Sequence, residues 1–85
     1  MNEVLLHKRV VKFLDKLDKR RKESILKVLK SLENFPLIRA DIKKIGNRTY
    51  RMRTGDLRII FDYIKDEDKI FVKLVDFRGK VYKKM

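Results

Sequence analysis

A chain of 85 residues, 44% of them hydrophobic, has room for a single domain around one modest core and is too apolar to be a disordered tail. With no cysteine it has no disulfide framework, thiolate nucleophile or cysteine-based zinc site, and no apolar stretch approaches the roughly 20 residues of a membrane span. Its formal net charge of +12 exceeds what solubility asks of a small domain and self-repels; a polyanionic partner, nucleic acid or ribosome, compensates for it better than an anionic membrane. The bland alternative is a solvated, lysine-rich surface. The opening Met1-Asn2-Glu3-Val4 does not read as a secretory signal, so the expectation is a cytoplasmic protein with no membrane partner.

Val4, Leu5 and Leu6 predict a first strand. From Lys8 the period changes. Val10, Val11, Phe13, Leu14 and Leu17 recur at three- and four-residue spacing, which predicts an amphipathic helix. Asp18-Lys19-Arg20-Arg21-Lys22 has no apolar residue and reads as a turn into a second helix, with Asp18 as a candidate N-cap. Ile25, Leu26, Val28, Leu29 and Leu32 form that helix's stripe, which ends near Asn34 ahead of Pro36. Beyond it the composition turns β-branched and aromatic. A short strand around Ile42 precedes a Gly46-Asn47 turn; Tyr50 to Arg53, Leu57 to Ile64 and Lys69 to Phe77 follow as strands, separated by Thr54-Gly55-Asp56 and Lys65-Asp66-Glu67-Asp68. The order β-α-α-β-β-β-β predicts an α+β fold, with a helical hairpin packed on one face of a small antiparallel twisted sheet.

Arginine marks the sheet half: Arg48, Arg51, Arg53, Arg58 and Arg78. Arg51 and Arg53 are two apart on one strand and share a face, opposite Tyr50 and Met52. Arg58 follows a tight turn and lies beside Arg53, and Arg78 closes the last strand, so four guanidiniums are placed to converge on one wet, concave sheet face. The guanidinium fork suits phosphate. The pattern alone equally fits a solvated face in which these arginines pair with Asp56, Asp62 or Asp76. Lys43, Lys44, Arg48, Lys80, Lys83 and Lys84 are further candidate RNA contacts, and Tyr82 is placed among cations to stack on a base or to tuck against the sheet. His7, the only histidine, reads as structural at the start of the first helix. Ser24 has no histidine partner, and Asp66, Glu67 and Asp68 read as a hairpin turn rather than a metal site.

The string Tyr50-Arg51-Met52-Arg53-Thr54-Gly55-Asp56-Leu57-Arg58-Ile59-Ile60-Phe61 resembles the central signature of the RelE/ParE toxin superfamily, and Arg78-Gly79-Lys80-Val81-Tyr82 is similar to its closing motif. The leading strand and helices agree in order and length, so the resemblance spans residues 1–85 as a single RelE-like domain. It implies the toxin of a toxin–antitoxin pair: a ribosome-dependent endoribonuclease that cuts messenger RNA in the decoding site without metal or cofactor. By resemblance, Arg51 and Arg53 stand near the attacking 2′-hydroxyl, where lysines are frequent, and Arg58 stabilises transition-state charge. Arg78 protonates the leaving group or binds phosphate, and Tyr82 stacks on the base. Arginine is a poor general base because it holds its proton, and Phe77 stands where a histidine is frequent, so the chain is expected to be nearly inert on free RNA. The implied partners are the ribosome with its messenger and an acidic RelB-like antitoxin, which would hold the toxin in a repressed hetero-oligomer. A ParE-like inhibitor of DNA gyrase and a non-catalytic RNA- or ribosome-binding module are the competing readings.

Overall fold

A computed structural model describes residues 1–77 of the chain. The order along them is β1 (Glu3–Leu6), α1 (Lys8–Asp15), α2 (Lys19–Ser31), a 3-10 turn (Leu32–Asn34), β2 (Asp41–Lys44), β3 (Thr49–Thr54), β4 (Leu57–Ile64) and β5 (Lys69–Phe77). This is the α+β order that the hydrophobic periodicities predict.

Both helices begin on a side-chain cap. His7 precedes α1, and its Nδ1 accepts the Arg9 amide at 3.0 Å; Asp18 precedes α2, and its Oδ1 accepts the Arg21 amide at 2.8 Å. His7 thus has the structural place expected of it. The Asp18 cap also moves a boundary: Lys19 to Lys22, expected as a turn, are the first turn of α2. Helix α1 buries Val10 and Leu14, and α2 buries Ile25 and Leu29, one side of each at four-residue spacing.

Among the described residues the sheet has five strands in the order β1-β5-β4-β3-β2. The strands β2 to β5 form an antiparallel meander, whereas β1 lies parallel to β5, with Glu3 opposite Lys69 and Leu6 opposite Val72. The sheet is therefore mixed at one edge rather than wholly antiparallel. The helical hairpin carries the chain from one sheet edge to the other, and the meander walks back until β5 meets β1. Gly55 makes the β3–β4 turn at φ 59°, a conformation suited to glycine.

Met52, Leu57, Ile59, Phe61, Ile70, Val72 and Val75 face the helices and are buried with Val10, Leu14, Ile25, Leu29 and Leu32. A register irregularity keeps this face apolar. Ile60 pairs with Leu74, but Phe61 pairs with Val72, so Lys73 is an extra residue on β5. The spacing of Ile70 and Val72 from Val75 and Phe77 is thereby explained. No helix among the described residues is long and apolar enough to cross a membrane.

Candidate functional site

Alternation along the strands sends Arg51, Arg53, Arg58, Ile60, Leu74 and Asp76 to the sheet face away from the helices. The register arranges them in rows across the strands. One row runs Asp41, Arg53, Arg58, Asp76, each residue directly opposite the next. The next runs Lys43, Arg51, Ile60, Leu74. A third joins Thr49 to Asp62, whose Oδ1 accepts the Thr49 hydroxyl at 2.6 Å and lies 3.4 Å from Lys73 Nζ.

Two arginines directly opposite one another on adjacent strands repel. An acid at each end of the row offsets this. Asp41 Oδ2 accepts both Nε and Nη2 of Arg53 at 2.7 Å, a side-on grip that leaves the Nη1 edge of the guanidinium open. Both side chains are about half exposed, so the pair contributes orientation more than stability.

Arg58 departs from expectation. It was expected on a wet face, yet it is only 6% exposed, and Asp76 opposite it is 3% exposed. The guanidinium folds back on its own strand and turn, where Nη1 donates to the Leu57 carbonyl at 2.9 Å and the Gly55 carbonyl at 3.1 Å. Asp76 Oδ1 in turn accepts the Phe77 amide at 2.8 Å. Ile60 and Leu74, also on this face, are buried. The face is thus an apolar and ionic floor with accessible cations at one side, not an evenly wet array of guanidiniums.

The structure brings Arg51, Arg53, Arg58 and Lys43 to this face. It does not bring Lys44 and Arg48 there. Lys44 pairs with Tyr50, on the helix side of the sheet, and its Nζ stands 6.0 Å from the Tyr50 ring centroid. Arg78, Lys80, Tyr82, Lys83 and Lys84 lie outside the described residues. Two members of the face went unrecognised in the sequence. Asp41 was within reach: counting back from the turn closed by the Ile45 amide on the Thr49 carbonyl puts it opposite Arg53. Lys73 follows the inward-facing Val72 and so reaches this face by alternation, beside Asp62; the β5 irregularity then leaves Leu74 on the same face.

Neither a protein-family model nor a curated protein matches the chain. Solved structures do. A chain of the archaeal RelE–RelB complex from Pyrococcus horikoshii OT3 is 30% identical, with a TM-score of 0.79 over 93% of this chain and 97% of that one. A chain of the RelB–RelE antitoxin–toxin complex from Methanococcus jannaschii is 27% identical, with a TM-score of 0.67 over 95% of this chain and 98% of that one. The isolated E. coli RelE toxin, at 22% identity, has the same fold, with a TM-score of 0.72 over 99% of this chain and 94% of that one. The sequence signature, the element order and the likeness to the Pyrococcus chain over nearly the whole length of both agree: this chain belongs to the RelE toxin family.

Proposed function

We propose that the protein is the toxin of a toxin–antitoxin pair and inhibits translation as a metal-independent endoribonuclease that cuts messenger RNA in the decoding site of the ribosome. The observation that carries this reading is the arginine-bearing strand β3 beside β4, with Arg51, Arg53 and Lys43 on one sheet face and Asp41 holding Arg53 side-on. In the proposed step the ribose 2′-oxygen attacks the adjacent phosphorus and the bond to the 5′-oxygen breaks. The products are a cyclic phosphate and a free 5′-hydroxyl. The open edge of Arg53, with Arg51 and Lys43, neutralises charge on the phosphate oxygens. Arg58, held on the Leu57 and Gly55 carbonyls, adds positive charge beside Arg53 from the neighbouring strand rather than reaching for the RNA itself. Arg78 and Tyr82 complete the proposed site, for phosphate binding at the leaving side and for base stacking, while the proton passes from the 2′-hydroxyl to the 5′-oxygen through water.

Arginines hold their protons, so the site works by alignment and electrostatics. This favours a reaction that depends on the ribosome to present the messenger. Similar chains crystallise with RelB antitoxins, and a +12 chain suits an acidic, folding partner of that kind. We place the protein in the cytoplasm, with the ribosome.

Primer extension on a defined messenger, with and without ribosomes, tests the proposal. Breaks within codons that require ribosomes are the expected result. Intact messenger on ribosomes that have stopped elongating would instead identify a non-cleaving ribosome binder, the reading that buried Arg58 and the absence of a lysine at positions 51 and 53 favour. Inhibition of supercoiling by DNA gyrase would place the protein with the ParE-like branch.

A further inference from the structure

Lys44 and Arg48, which the fold separates from the sheet-face arginines, meet again elsewhere. On the helix side of the sheet, at the end of β4 remote from the Gly55 turn, they rim an open cleft of about 440 Å³ together with Lys65. Its floor is aromatic: Phe35, Tyr50 and Tyr63. Tyr50 lies stacked on Phe61, itself fully buried, at 5.6 Å and 15°. Phe35 meets Tyr50 and Tyr63 edge-on, at 5.0 and 4.9 Å between centroids. The core therefore fixes the rings of both tyrosines, which remain partly exposed, whereas Lys44, Arg48 and Lys65 are exposed. No carboxylate lines the cleft. The adjoining groove, which shares Phe35 and Tyr63, carries Glu33 and Asp68, so a polyanion is drawn to one side only.

We propose that this cleft is a second RNA contact, taking an unpaired nucleobase against Tyr50 and Tyr63 with the flanking phosphates on Lys44, Arg48 and Lys65. Its volume falls in the range of small-molecule sites. Fixed rings stack on a base with little ordering cost, and stacking tolerates any base. A free phosphate would use the cations and ignore the rings. An acidic peptide would need the cations without requiring flat aromatic faces. A ring floor with a cationic rim answers to both halves of a single-stranded nucleotide. The cleft and the arginine face lie on opposite sides of the sheet, so the two contacts are independent.

The test is an NMR titration of the full chain carrying Arg51→Ala and Arg53→Ala, which removes two guanidiniums proposed to hold RNA on the other face. The probes are an unstructured single-stranded hexaribonucleotide, inorganic polyphosphate, and a peptide rich in Asp and Glu. The expected result is movement of the Tyr50 and Tyr63 ring resonances with the RNA and not with polyphosphate. Adding Lys44→Ala, Arg48→Ala and Lys65→Ala should weaken RNA binding by about tenfold and make its log–log salt slope shallower by about two. Rings unmoved by RNA, equal ring shifts from polyphosphate, or ring shifts from the peptide alone would each overturn the proposal. Because the readout is binding by a chain without Arg51 and Arg53, it stands or falls separately from the cleavage reading, which primer extension decides.

Discussion

Two acids govern what the arginines of the sheet face can do. Asp76 is buried opposite buried Arg58, whose guanidinium donates to the Leu57 and Gly55 carbonyls, so truncating Arg58 both breaks those bonds and opens a cavity. Arg58→Ala should therefore lower unfolding stability by about 3 kcal/mol, measured by urea denaturation. An unchanged midpoint in that variant would show that Arg58 has no structural part. Loss of toxicity in Arg58→Ala is then no proof of catalysis. Arg53→Ala is the cleaner probe: Arg53 is about half exposed, and its loss should abolish ribosome-dependent cleavage while stability stays within about 1 kcal/mol of the parent. At the other end of the row, Asp41 holds Arg53 in an exposed pair worth at most about 1 kcal/mol. Asp41→Ala should hold stability within that margin and tighten non-specific binding of free RNA about twofold, by removing a competing carboxylate. Cleavage on the ribosome should fall, because Arg53 loses its orientation. Equal cleavage by parent and variant would leave Asp41 without a positioning role.

The elements were largely legible in the sequence because each carries its own period. The stripe Ile25, Leu29, Leu32 and the alternation around Met52 report local burial, and the Asp18 cap of α2 can be read from residue type. What was not legible depends on partners distant in sequence. The parallel seat of β1 on β5 and the extra residue at Lys73 both follow from which strand lies beside which. The arginine face was half legible for the same reason: alternation places Arg51 and Arg53 together, but only the register reveals Asp41 and Asp76. One element contradicts its own electrostatics. The first turn of α2 is Lys19, Arg20 and Arg21 with no acid, against the helix dipole. Arg20→Glu should raise thermal stability by about 0.5 kcal/mol; a lower melting temperature would mean that these cations are held by contacts the dipole argument omits. At Gly55 the turn needs φ 59°, and an added methyl would meet no atom within 4 Å. Gly55→Ala should thus cost about 1 kcal/mol, from backbone strain alone.

For the molecule as a whole, basic chemistry is divided between two sides of one thin sheet, arginines and Lys43 behind it and the cationic aromatic cleft in front. A net charge of +12 then acts as a general attraction to RNA, which salt weakens, while each side contributes its own geometry. An acidic partner that covered either side would relieve the self-repulsion and stabilise the fold by mass action. The pairing of β1 with β5 has a temporal meaning as well. Strand β1 is made first, but its neighbour in the sheet is the last described strand, and Val10 and Leu14 of α1 share a core with Ile70, Val72 and Val75. Long-range pairing of this kind must wait for the whole intervening chain. During synthesis β1 has no partner strand, and the core of α1 lacks Ile70, Val72 and Val75, until β5 has emerged, so a protein proposed to poison ribosomes closes its core late on the one that makes it.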